Sequence, residues 1–150
     1  MISDKPEPLK ALFDTSSFVV ALFQPHPQHE RALPWLERVI KKEIVGYISL
    51  HTLAEFYRTF TGAQLKIPPE ITLAVIEQSI LPHFQVIPLD EADYTFMLHE
   101  LVNLKLAGAI IYDAIISSAA WKVQADFIVT FNKKHFDSIN PNKTTRIIEP

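Results

Sequence analysis

The sequence predicts an α/β fold: a three-layer α/β/α sandwich around a central, mainly parallel sheet of about four to five strands. Three observations predict it. Short apolar runs alternate with helical segments of ten or more residues, which implies parallel pairing through right-handed crossovers. The 150 residues are enough for one compact domain and too few for two comfortable ones. No internal repeat, low-complexity tract or linker divides residues 1–150.

The elements follow in order. "LKALF" is an apolar run suited to a buried strand, and "SSFVVALF" suits a helix opening at a hydroxyl cap. "QPHP" breaks that helix. Residues 28–42 place Ala32, Leu33, Leu36, Val39 and Ile40 at helical spacing with charges opposite. "IVGYISL" follows as a strand, and "TLAEFYRTFTG" is a helix ending at Gly62. "PPEITLAVIEQSIL" carries prolines where a helix begins, and "FQVIPL" reads as a strand. "DEADYTFMLHELVNLK" puts Phe96, Met97, Leu101 and Leu104 on one helical stripe, and "YDAIISSAAWKVQA" is the next helix. "DFIVTF" is a β-branched and aromatic strand, and "TRIIE" adds a short last one.

Composition excludes several classes. With 48% hydrophobic residues, 11% aromatics and only three glycines, the chain is neither a disordered tail nor a repeat array. The absence of cysteine removes any disulfide framework or thiolate zinc site and fits a reducing cytosol. "MISDKPEPLK" has no apolar run behind a basic start, so it does not read as a signal peptide. The longest apolar stretch, "LKLAGAIIYDAIISSAAW", is interrupted by Asp113 and falls short of the roughly 20 residues a bilayer span needs. The expectation is a cytoplasmic protein with no membrane partner. A net charge of −3 argues against a broad phosphate-binding surface, so nucleic-acid contact would need a local site; a small basic cluster stands in "NKKHF".

Most of the 17 acidic residues lie among charges or prolines, but three do not. Asp14 lies between "ALF" and "FVVALF", Glu55 between "TLA" and "FY", and Asp113 between "AGAIIY" and "AIISSAA". An ionised carboxylate in such surroundings costs several kcal/mol, roughly, unless something satisfies it. Asp126 is a weaker fourth case. Structural alternatives exist: Asp14 and Asp113 can cap their helices, Asp113 together with Ser117. Glu55 is mid-helix and can pair with Arg58 or His51. All three carboxylates fall where strands hand over to helices, the end of a parallel sheet where sites form. Gathered there they repel one another and call for a cation, and oxygen-rich sites without thiolate favour Mg²⁺ or Mn²⁺.

"LFDTSSFV", "TLAEFYRTFTG" and "IIYDAIISSAAWKVQADFIVTFNKKHF" together resemble PIN-domain proteins of the VapC toxin class, over essentially the whole chain. The resemblance implies a PIN-like sandwich and a Mg²⁺- or Mn²⁺-dependent endoribonuclease. It also implies a homodimer neutralised by a small antitoxin protein that enters the active-site groove. Asp14, Glu55 and Asp113 match the family's acidic metal ligands, and Ser16 and Thr130 match small hydroxyl positions beside them. The family pattern usually carries a further acid after the fourth strand, where this chain has Asn132 and His135; Asp137 lies two residues on. On this reading Asp14 and Asp113 hold the ion, Glu55 joins directly or through water, and Asn132 positions substrate or an outer-shell water. Arg58, Lys133 and Lys134 are candidates to offset phosphate charge, although "NKKH" also reads as a solvated loop.

The rival reading is a PIN-like binding protein that has lost turnover and acts through a partner surface. A phosphotransfer enzyme with a nucleophilic aspartate is disfavoured, because position 16, where a second Asp would stand, is serine. Three glycines cannot supply a phosphate loop. Trp35 and Tyr57 read as core residues, with a partner surface as the alternative.

Overall fold

β1, Lys10–Phe13, is apolar on both faces because both are covered: Ala11 and Phe13 enter one core cluster and Leu12 another. A computed structural model describes residues 6–140 and 145–150 of the chain. Residues 1–5, part of the N-terminal stretch read as lacking a targeting signal, lie outside the described residues.

Five strands form one sheet in the order β3-β2-β1-β4-β5, and every adjacent pair is parallel. The others are β2 (Val45–Ser49), β3 (Phe84–Ile87), β4 (Phe127–Val129) and β5 (Arg146–Ile148). The expected three-layer α/β/α sandwich is therefore present. One face is covered by α1 (Thr15–Leu22), α2 (His29–Ile40) and α3 (Leu50–Thr61), whose Phe18, Leu36, Val39, Phe56 and Phe60 meet Phe13, Ile48, Phe84 and Phe127. The opposite face carries α6 (Ile110–Lys122) and α7 (Lys133–Ile139), where Ile116, Ala119, Ala120 and Phe136 pack on Leu12 and Ile128. Outside them lies α5 (Glu91–Asn103), which packs Met97 and Leu101 on Ala114 and Ile115 of α6.

The topology places the site. β1 continues to β2 and β3 on one side, then the chain returns to lay β4 on the other side of β1. The winding reverses between β1 and β4, and in open parallel sheets the carboxyl edge at such a switch point is where ligands bind. Among the described residues no helix is long and apolar enough to cross a membrane.

Several local expectations are corrected. The cap of α1 is the carboxylate of Asp14 rather than a hydroxyl. The helix over 68–81 is α4 (Pro69–Val75) running into a π-helical turn at Ile76–Ile80, in which Ile76 and Ile80 are both buried. "NKKH" is no loop: Asn132 is the N-cap position of α7, and burial of Phe136 and Ile139 draws the segment into a helix. Phe96 is 60% exposed, because α5 touches α6 along only part of its stripe; Met97 and Leu101 use the contact. Ile40 is likewise exposed. Trp35 packs edge-on against Phe127 as a core residue would, whereas Tyr57 is exposed.

Candidate active site

Asp14 follows β1 directly, and its backbone N–H donates to the Val129 carbonyl of β4 at 3.0 Å, which fixes it at the switch point. It is 3% exposed. Oδ1 accepts the Thr15 backbone N–H at 2.8 Å, while Oδ2 accepts the hydroxyls of Ser16 at 2.7 Å and Thr130 at 2.8 Å. These donors occupy three of the carboxylate's roughly four acceptor positions and leave room for about one more partner. Thr130 Oγ1 in turn accepts the Asn132 N–H at 2.9 Å, and Ser16 Oγ accepts the Phe131 N–H at 3.0 Å. The turn after β4 is thereby tied to the turn after β1. Burial raises the Asp14 pKa against the lowering effect of these hydrogen bonds.

Glu55 comes from α3, whose start is fixed by Ser49 at the end of β2 accepting the His51 N–H. The Thr15 hydroxyl donates to its Oε1 at 3.4 Å. Nε2 of His51 stands 3.3 Å from the same oxygen without hydrogen-bonding geometry, and burial lowers the His51 pKa. The pair is a close polar contact without a hydrogen bond. Burial, then the charge of Asp14, pushes the Glu55 carboxyl up to about 7; Asp113 adds to the rise, while Thr15 and Arg58 oppose it.

Asp113 is the exception to the strand-to-helix rule, because α6 follows α5 and not a strand. It reaches the site because a crossover helix runs antiparallel to the strands, which brings the N-terminus of α6 to their carboxyl edge. Asp113 does not cap α6. The N-cap position is Ala109, and the Ser117 hydroxyl is buried without a hydrogen-bond partner among the described residues. Oδ2 of Asp113 stands 3.1 Å from Nδ1 of His135 on α7. Burial and then Asp14 raise the Asp113 pKa, and His135 opposes the rise.

Asp14, Glu55, Asp113 and Asn132 line one cleft of about 340 Å³ with Thr15 and Ser16. Other candidates lie elsewhere. Arg58 lines an adjoining pocket that shares Glu55. Lys133 bonds Asp137 at 3.2 Å and the Ile147 carbonyl at 3.3 Å, and the cleft it lines excludes the three acids. Asp137 is thereby engaged away from the acidic cluster. Lys134 is exposed. Asp126 accepts the Lys10 N–H at 2.7 Å at the amino edge of the sheet, remote from the cleft. Sequence reasoning missed Thr15 as a partner of Glu55, although it adjoins Asp14, and missed that His135 touches Asp113, which no linear spacing signals.

The donor set fits a hard divalent cation. The three carboxylates and the Asn132 amide offer oxygen ligands; burial is the main cause of the raised pKa of each acid, and the charge of Asp14 adds to the rise at Glu55 and Asp113. Among the described residues no three His, Asp or Glu side chains already converge on one ion position, so ligation would require side-chain rotation.

A doubly wound parallel sheet with an acidic cleft at its switch point is the class of domain that fold and site define. The sequence matches the PIN domain family over residues 11–140, and the chain belongs to that family. Solved structures agree. FitAB bound to a DNA fragment aligns at 25% identity and TM-score 0.68 over 93% of this chain and 94% of that one. VapBC2 from Rickettsia felis, bound to a fragment of its promoter DNA, aligns at 21% and 0.65 over 95% and 99%. Mycobacterium tuberculosis VapC20, described as a sarcin-ricin loop cleaving toxin, aligns at 17% and 0.65 over 83% and 92%. No curated protein matches the chain.

Proposed function

We propose that this chain is a divalent-metal-dependent endoribonuclease, the toxin of a toxin–antitoxin pair, with Asp14, Glu55 and Asp113 as ligands for Mg²⁺ or Mn²⁺. The observation that carries the reading is that three partly or fully buried carboxylates, from the β1–α1 junction, α3 and α6, line one cleft at the switch point. Membership of the PIN domain family and the likeness to FitAB and VapBC2 support it, and VapC20 supports RNA as the substrate. A small antitoxin and a second copy of the chain are the partners, and the cytoplasm is the compartment.

When bound, the cation supplies a Lewis acid that lowers the pKa of water and offsets charge on the phosphoryl group. The chain's own residues do the rest. Ser16, Thr130 and the Thr15 N–H hold Asp14 in one orientation, so the ligand is preorganised. Asn132, pinned through its N–H to Thr130, positions substrate from the rim of the cleft. Arg58 is exposed beside Glu55 and meets phosphate.

The test is incubation of the purified protein with pooled cellular RNA in Mn²⁺, in Mg²⁺ and in chelator, with Asp113→Asn in parallel. Discrete fragments that require metal and vanish in the variant are the expected result. Equal cleavage by the variant would sink the site assignment. Failure of the wild type to cut or to bind Mn²⁺ would favour a PIN-like binding protein, a reading for which His135 beside Asp113, in place of a further acid, is the motivating feature.

A further inference from the structure

Beside the acidic cleft lies a second pocket of about 310 Å³, lined by His51, Ala54, Glu55, Arg58 and Tyr112. It shares Glu55 with the cleft, and Tyr112 immediately precedes Asp113 on α6. Its distinctive feature is a stack between two helices. The rings of His51 on α3 and Tyr112 on α6 are 5.4 Å apart at their centroids and 4° from parallel. Tyr112 remains 52% exposed in spite of that contact, so the ring keeps aromatic surface in solvent next to the carboxylates.

We propose that this pocket is a nucleobase subsite, in which one base of a single-stranded nucleic acid extends the His51–Tyr112 stack while Arg58 meets a neighbouring phosphate. The inference rests on the nuclease reading and adds to it the feature that would select among substrates. Single-stranded nucleic acids are held by aromatic faces that take the bases and cations that track the backbone, and both parts are present here within one pocket. The charge arrangement sets the orientation. Arg58 is exposed and makes no ion pair with a described residue, while the ring of Tyr112 and Ala54 give the pocket uncharged surface. The uncharged face of the nucleotide therefore enters and the phosphate stays at the rim. Because Glu55 belongs to both sites, the bound base belongs to a nucleotide adjoining the phosphate at the acidic cluster.

The test is fluorescence anisotropy with labelled octaadenylate, octauridylate and an abasic ribose-phosphate chain of equal length, with Ca²⁺ as the cation. The proteins are the wild type, Tyr112→Ala and Tyr112→Phe. Wild-type protein is expected to favour octaadenylate over octauridylate, since purines stack more strongly. Tyr112→Ala should lose about tenfold on octaadenylate, the order expected for one stacked base, and nothing on the abasic chain. Tyr112→Phe should keep wild-type affinity.

An equal loss on all three chains, or no loss, would overturn the subsite while leaving metal-dependent cleavage intact. The pocket would then be open to a side chain of a protein partner instead. A wild type that neither binds nor cleaves any chain would remove the nuclease reading and the subsite together.

Discussion

The hydroxyl of Thr130, at the end of β4, donates to Oδ2 of Asp14, at the end of β1, across 2.8 Å and 116 residues of sequence. Thr130 Oγ1 itself accepts the Asn132 N–H, so one buried side chain orients both the central carboxylate and the following turn. Thr130→Val keeps the shape and deletes both bonds. It should lower stability by about 1–3 kcal/mol, since a part-buried N–H and a buried carboxylate each lose a partner. The thermal midpoint should fall by about 5 °C and Thr130→Ser should recover most of it. Unchanged midpoints in both variants would show that the hydroxyl is idle.

The acidic cluster makes stability depend on pH in a defined direction. Glu55 rises from 4.5 to about 7 in the folded protein, so between those values the folded state binds more protons than the unfolded one. Metal-free protein should therefore lose stability as pH climbs through that window, with Asp14 and Asp113 acting in the same sense. Thermal scans in chelator should show the decline, Glu55→Gln should flatten it, and Mn²⁺ should restore the midpoint most strongly above the window. A wild-type profile that matches Glu55→Gln would contradict this account of the cluster.

His135 occupies the place beside Asp113 where a further carboxylate would complete an acidic ring. His135→Asp should destabilise the metal-free protein by about 1 kcal/mol through like-charge repulsion. It should also tighten Mn²⁺ binding about tenfold by adding an anionic oxygen ligand. Titration calorimetry reads the affinity directly, and a weaker site in His135→Asp would mean that the imidazole itself assists ligation.

Asp137 offers the contrast, since its carboxylate is exposed and paired with Lys133. Asp137→Asn should leave Mn²⁺ affinity unchanged and alter stability by less than about 0.5 kcal/mol. A marked loss of metal binding would place Asp137 among the ligands after all.

Gly46 lies in β2 where Phe84 and Val39 close over the backbone. A Cβ there would stand 2.6 Å from Cε1 of Phe84 and 2.7 Å from Cγ1 of Val39. Gly46→Ala should cost about 1–3 kcal/mol as the core shifts to admit it. The midpoint of urea unfolding should drop accordingly, and a wild-type midpoint would mean that Phe84 rotates away freely.

The sequence by itself determined the layering and the suspects. Runs such as "ALF" and "FIV" are apolar without alternation, which is the signature of strands covered on both faces, and helical periodicity fills the gaps. Asp14, Glu55 and Asp113 stood out because each interrupts apolar surroundings, and desolvation is a cost that composition makes visible. Spacing along the chain could not tell that α5 is covered on one side only, which leaves Phe96 in solvent, or that Phe136 would draw "NKKH" into a helix. Nor could it tell that Lys133 turns to Asp137, or that Tyr112 stacks on His51. These outcomes are decided by which elements lie side by side, and that is set by strand order. The reversal between β1 and β4 brings Thr130 to Asp14 and the start of α6 to the same edge, because hydrogen bonds and mutual repulsion act through distance in space and not along the chain.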